Sequence, residues 1–381
     1  MQGLLQTVIQ QALDQQRLVG VEVMVAQRGE IIYHQAAGWA DRENQRPMAK
    51  GGHFRLASVS KLIVSTAAMV LVAQGELQLD EDVQRWLPGF KPTLADGSAA
   101  TISLRQLLSH CAGLGYRFLE ESDDGPYARA GVSDGMDRSD LTLAENVQRI
   151  GSVPLLFAPG SAWCYSLAID VVGALIEKVQ QQPLDQAVRA LVTGPLEMGA
   201  TDFFLSPEQI VATAYVNDYP QPHALREGEC VAPFEGTVGI RFNPSRVYDR
   251  QAFPSGGAGM VGTASDVMRL LETLRTGGGT LLKSAWVAEM ARDQIGAHEI
   301  PDSPGVGFGL GFSVLRDPVL AASPESIGTW RWGGAYGHAW FVDPVKQLSV
   351  VAMSNTLYEG MSGAFVNELR DAVYQGLWEE Q

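Results

Sequence analysis

Arg55-Leu56-Ala57-Ser58-Val59-Ser60-Lys61-Leu62-Ile63-Val64-Ser65-Thr66 leads into an apolar run, Leu62, Ile63, Val64, Ala67, Ala68, Met69, Leu71 and Val72, that meets no proline or glycine before Gly75. Such a run predicts a buried helix with Ser58 at its first turn. Residues three apart share a helix face, so the Ser58 hydroxyl and the Lys61 amine are expected to be neighbours. A serine hydroxyl is a weak nucleophile until a base takes its proton, and a lysine can be that base when burial or nearby positive charge weakens its hold on its own proton. The helix N-terminus adds backbone N–H groups and a positive dipole end, which suit a developing oxyanion. The spacing also has a plainer reading, a capped core helix with Ser60 as its N-terminal cap.

Working outward, 381 residues are enough for one large or two ordinary domains. An apolar share of 46% with 19% charged residues describes a globular chain. The 28 basic and 43 acidic residues leave a net charge of −15, which argues against nucleic acid or an anionic membrane as partner. Cys111, Cys164 and Cys230 are odd in number and lack metal-ligand spacing, so a reduced compartment is expected. The first residues have neither a basic flank nor a long apolar run, and no stretch reaches the roughly 18 uninterrupted apolar residues of a membrane span. A cytoplasmic protein with no membrane partner is the expectation.

Along the chain, residues 3–16 have helical apolar spacing, and residues 21–27 and 31–37 read as a hairpin around Arg28-Gly29-Glu30. Residues 101–114 predict a helix ended by Gly113, carrying His110 as a candidate base or a hydrogen-bonded core histidine. Residues 115–140, with Tyr116, Phe118 and Tyr127, predict an irregular loop that shapes a pocket. Tyr165 is expected just ahead of a helix at 171–179, and residues 206–250 read as mostly loop. Residues 253–266 form a glycine-rich turn before a helix capped by Thr263 or Ser265. They match no phosphate-loop pattern and read as a turn packed tightly on a sheet. Strands are expected at 307–315, 328–332, 337–342 and 348–354, the last two joined at Asp343-Pro344, with a final helix at 364–377.

Three pieces then line up: Ser58-x-x-Lys61, Tyr165, and Trp332-Gly333-Gly334-Ala335. With Leu107-Leu108-Ser109-His110-Cys111-Ala112-Gly113-Leu114, Pro159-Gly160, residues 257–266 and residues 333–344, their order resembles the class C branch of the serine beta-lactamase and penicillin-binding-protein superfamily, and most of all its family VIII carboxylesterases. The resemblance implies an α+β fold, beta-lactamase-like, with an antiparallel sheet flanked by helices plus a mainly helical domain. Residues 1–57 and 235–381 would form the first and residues 58–234 the second. It implies Ser58 as nucleophile, Lys61 and Tyr165 sharing proton transfer, and the N–H groups of Ser58 and Ala335 as oxyanion hole. Trp332, Gly333, Gly334, Tyr116, Tyr127 and His338 would contact substrate, with no metal or other cofactor. The superfamily often has Tyr-x-Asn where this chain has Tyr165-Ser166-Leu167, and lysine or histidine where it has Trp332. Losing an amide and a cation favours an uncharged, apolar acyl ester over an anionic lactam.

The function expected is a serine carboxylesterase for short to medium acyl esters. An acyltransferase or amide hydrolase on the same scaffold is the alternative, and a catalytically silent binding protein a second one. His338 has a competing reading as a base paired with the serine.

Overall fold

The computed structural model of the chain describes residues 1–379. Eight strands make one antiparallel sheet: β1 (Gly20–Gln27), β2 (Glu30–Asp41), β3 (Arg46–Pro47), β4 (Val306–Phe308), β5 (Ser313–Leu315), β6 (Trp330–Gly334), β7 (His338–Asp343) and β8 (Leu348–Ser354). Their spatial order, β4-β5-β6-β7-β8-β1-β2-β3, joins the two ends of the chain by pairing β1 with β8. Val23 lies opposite Ala352 and Met24 opposite Val351. The β1–β2 hairpin turns at Arg28 and Gly29, whose φ angles of +54° and +88° suit a tight hairpin turn.

Side chains on a strand alternate between faces, and the sheet uses both. Val21, Val23, Val25, Val350 and Ala352 pack outward against Leu5 and Ile9 of the Gln2–Asp14 helix and Phe365, Leu369 and Val373 of the Ala364–Glu379 helix. Met24, Ala26, Val351 and Met353 point inward, into a cluster that also holds Leu62, Ile63 and Met69 of the Ser60–Gln74 helix and Val267 and Leu271 of the Ala264–Arg275 helix. The result is an α+β fold, a sheet between helical layers with further helices, Leu143–Ser152 and Ala168–Gln180, beyond the inner one.

The Ser60–Gln74 helix is buried from Ser60 to Val72 and stops at Gly75 in the left-handed conformation, φ +81°. By length and mean hydropathy, 1.5, residues 57–74 pass for a membrane span, but 83% of that window is buried within the protein.

Several sequence expectations change in detail. The helix expected over 101–114 is one short turn, Leu104–Leu108, opened by a Ser103–Gln106 capping box and closed before His110, whose φ is +57°. The strand expected at 307–315 is a hairpin, β4 and β5, broken where Gly311 takes φ +104°. Within 206–250 lie two small ladders, Tyr215–Val216 with His223–Ala224 and Glu229–Val231 with Ile240–Phe242. Thr263 is the cap of its helix, accepting the Asp266 N–H at 3.2 Å.

Leu369 is buried in the outer layer, away from the Ser58 side of the sheet. Leu369→Ala should lower stability by roughly 2–5 kcal/mol, seen as a lower melting temperature in thermal unfolding with unchanged far-ultraviolet circular dichroism at 25 °C.

Candidate active site

Ser58 sits in a 3₁₀ turn, Ala57–Val59, immediately ahead of the Ser60–Gln74 helix. Ala57 has φ +44°, a left-handed conformation that costs a non-glycine residue about 1–3 kcal/mol and marks a constrained approach to Ser58. Ser60 is not a side-chain cap: it is fully buried, and its Oγ accepts the Met260 N–H at 3.1 Å. That bond ties the start of the helix to the glycine-rich turn.

Lys61 is 1% exposed, and its Nζ lies 3.2 Å from Ser58 Oγ and donates to the Gly257 carbonyl at 2.8 Å. From the loop before the Ala168–Gln180 helix, the Tyr165 hydroxyl lies 2.6 Å from the same Ser58 Oγ. The Lys61 amine also stands 4.7 Å from the Tyr165 ring centre and 5.5 Å from that of Tyr116, within reach of cation–π attraction. Ser58 Oγ therefore meets an amine and a phenol at once.

The end of β6 lies against the nucleophile turn, and this explains the glycine pair there. A methyl at Gly334 would come 2.5 Å from the Leu56 carbonyl oxygen and 3.3 Å from Val59, and one at Gly333 would come 2.6 Å from the His338 carbonyl. Only glycine permits that approach. Trp332 is half-buried, its ring 5.2 Å from Tyr165 and 5.2 Å from Phe308. Tyr116 packs on Tyr165 at 5.2 Å. Burial first, then the nearby Tyr165 and Asp170, holds the Tyr116 phenol well above its usual range.

Two of the residues expected to contact substrate, Tyr127 and His338, turn their polar atoms into the protein. Tyr127 is 3% exposed and its hydroxyl accepts the Gly115 N–H at 2.7 Å, so it fixes the loop from inside. His338 is fully buried, donates Nε2–H to the Arg55 carbonyl at 2.7 Å and meets Phe54 edge-on. It clamps β7 to the segment leading into Ser58, and its pKa is lowered to about 4 by burial, against the hydrogen bond to Arg55.

His110, the other candidate base, lies behind Tyr165: its ring is 4.9 Å from the tyrosine ring and its Nδ1 is 3.1 Å from Ser166 Oγ. Burial, reinforced by the charge of Lys61, keeps it well below the usual histidine pKa. Cys111, Cys164 and Cys230 are all free thiols. The glycine turn packs on a helix at Gly256, where a methyl would meet the Ile169 carbonyl at 2.7 Å, and pairs Val261 and Gly262 with Arg55 and Phe54 in a small ladder. Sequence reasoning missed that this turn delivers the Gly257 carbonyl to Lys61. It also missed Asp170 and Ser255 behind the lysine, hydrogen-bonded to each other at 2.6 Å.

The chain matches the family described as Beta-lactamase over residues 5–375. The chain belongs to the beta-lactamase family. Among its relatives, Esterase EstB of Burkholderia gladioli is 49% identical over 97% of this chain and 94% of its own. Lovastatin esterase of Penicillium rubens is 28% identical over 90% of each. The solved structure of EstCE1, described as a hydrolase with promiscuous acyltransferase activity, superposes with a TM-score of 0.95 at 47% identity over 98% of both chains. Membership of this family accounts for the antiparallel sheet with its helical layers, and for Ser58-x-x-Lys61 at the start of the buried helix.

The His338 pKa fixes the sign of one pH effect. In the unfolded chain the ring takes up a proton near 6.5, whereas in the folded protein it resists protonation down to about 4. Its contribution to stability is complete above pH 6.5 and is lost as pH falls toward 4. His338→Gln, which retains a donor for the Arg55 carbonyl but does not titrate, should show a melting temperature that falls less steeply over that interval than that of the parent protein.

Proposed function

We propose that the protein is a serine carboxylesterase that hydrolyses short to medium, uncharged acyl esters through an acyl-enzyme on Ser58. The observation that carries this is the double contact of Ser58 Oγ, 2.6 Å from the Tyr165 hydroxyl and 3.2 Å from Lys61 Nζ.

In the forward step Ser58 Oγ attacks the ester carbonyl carbon while its proton passes to the Lys61–Tyr165 pair. The two groups act as one coupled unit, so the proton belongs to the pair. The carbonyl oxygen becomes an oxyanion opposite the N–H groups of Ser58 and Ala335. Collapse of the tetrahedral intermediate breaks the bond to the alkoxy oxygen, which takes the proton from the pair and leaves as the alcohol. Water then attacks the acyl-enzyme and gives its proton to the same pair. Collapse frees the acid and returns a proton to Ser58 Oγ.

The substrate class rests on the walls. Half-buried Trp332 offers ring surface beside Tyr165, with Tyr116 and Phe308 packed behind these two rings. An indole stands where a lysine would hold a lactam carboxylate, which supports an apolar acyl group. Acyl transfer to an alcohol instead of water is the second reading, favoured by the likeness to EstCE1. It shares every step up to the acyl-enzyme.

Ser58→Ala should abolish p-nitrophenyl ester hydrolysis with the fold intact by circular dichroism, and a variant retaining a tenth of the parental rate would remove Ser58 from this role. A panel of p-nitrophenyl esters of graded acyl length, run beside a chromogenic cephalosporin, should show turnover of the short and medium esters far exceeding opening of the lactam. Faster lactam opening would contradict the ester reading.

Lys61→Ala and Tyr165→Phe should each lower kcat by roughly a hundred- to ten-thousand-fold. The double variant should be little worse than the poorer single one, because groups acting as a unit are not additive. Fully multiplicative losses in steady-state kinetics would mean that they serve separate steps.

A further inference from the structure

At the second motif the position two residues after Tyr165 is Leu167, fully buried among apolar side chains. The polar group on this side of the site comes one helical turn later. Asp170, in the first turn of the Ala168–Gln180 helix, is completely buried. Its Oδ1 accepts the Ser255 hydroxyl at 2.6 Å, while its buried Oδ2 has no hydrogen-bond partner and faces Gly257, whose N–H favours the charged carboxylate. A methyl placed on Gly257 would lie 2.5 Å from Asp170 Oδ2 and 3.5 Å from Lys61 Nζ, so the carboxylate and the amine flank the same glycine. The residue that faces Asp170 Oδ2 is the one whose carbonyl binds Lys61.

We propose that Asp170 is a positioning residue for the reaction: its carboxylate, held by Ser255 against Gly257, orients the Lys61 amine and supplies the negative charge that balances the Lys61–Tyr165 pair. The proposal rests on the hydrolase reading above and concerns only how that pair is held.

The charged and titratable groups around the carboxylate fit this role. Lys61 faces it from the nucleophile helix. Arg246, whose guanidinium is engaged with the Gly135 and Phe253 carbonyls, contributes positive charge from the loop that precedes the glycine turn. Tyr116 faces it from the pocket loop, and the Asp170 charge is one reason that phenol holds its proton. Burial is the largest influence and holds the Asp170 pKa above the usual carboxylate range, while the Ser255 hydroxyl, the Lys61 charge, the Gly257 N–H and Arg246 act in the opposite direction and favour the carboxylate. The direct donor, the Ser255 hydroxyl, and the neighbouring Lys61 amine are the geometric case for the ionised form.

The test is the pH–rate profile of Asp170→Asn and Ser255→Ala, each shown folded by circular dichroism, with p-nitrophenyl butyrate from about pH 5 to about pH 10. Removing the negative charge makes the proton on the Lys61–Tyr165 pair easier to lose. The acid limb of kcat for Asp170→Asn should therefore move down by about one pH unit or more, with kcat reduced and KM little changed. Ser255→Ala, which weakens the hold on the carboxylate, should move the limb in the same direction by less. An acid limb that stays in place in both variants would overturn the proposal even if kcat falls, because a purely structural aspartate alters rate without altering the titration. If Asp170→Asn fails to fold, the limb of Ser255→Ala decides alone. Ser58→Ala, assayed in parallel, tests the hydrolase reading separately.

Discussion

The arrangement depends on one lysine amine taken almost wholly out of water. Lys61 is 1% exposed, and a buried ammonium is tolerated only when hydrogen-bonded and balanced by charge. The Gly257 carbonyl meets the first need, and the glycine there is what allows main chain to reach the amine past the Asp170 carboxylate. Tyr165 and Tyr116 present ring faces to the same amine. Its other hydrogen-bonding partner is Ser58 Oγ, so the interactions that make burial tolerable also aim the amine at the nucleophile.

The sheet enters the site through close backbone contact. The Gly333-Gly334 pair lets β6 lie on the Leu56–Val59 turn, and the His338 ring fixes β7 to the Arg55 carbonyl. Ala57, strained at φ +44°, is held between these contacts. A nucleophile on a turn braced by a strand and a buried helix keeps its geometry better than one on a free loop. Tyr165, by contrast, comes from a loop, and it is positioned by ring packing against His110, Tyr116 and Trp332.

Periodicity made much of this legible in advance. The unbroken apolar run after Lys61 fixed the buried helix, and alternation around Gly29 gave the hairpin, because side chains carry those signals directly. Contacts made by backbone atoms have no letter of their own. The Gly257 carbonyl was therefore hidden inside a glycine-rich turn, and Asp170 read as the last residue of the segment ahead of the 171–179 helix, with no role of its own. Direction was equally invisible: His338 and Tyr127 sit beside site residues in sequence but turn their polar atoms toward Arg55 and Gly115. The helix expected through Gly113 stops early because His110 takes a left-handed backbone to place its ring behind Tyr165, a tertiary demand that local propensity does not record.

The central claim is that acyl transfer passes through Ser58, and it is tested most directly by trapping the intermediate. Rapid acid quenching of the enzyme during turnover of p-nitrophenyl butyrate, followed by peptide mass spectrometry, should find the butyryl group on the peptide that carries Ser58. The same group should be absent from that peptide in Ser58→Ala. Ester turnover with no acyl group on Ser58, or with the group on another side chain, would contradict the account.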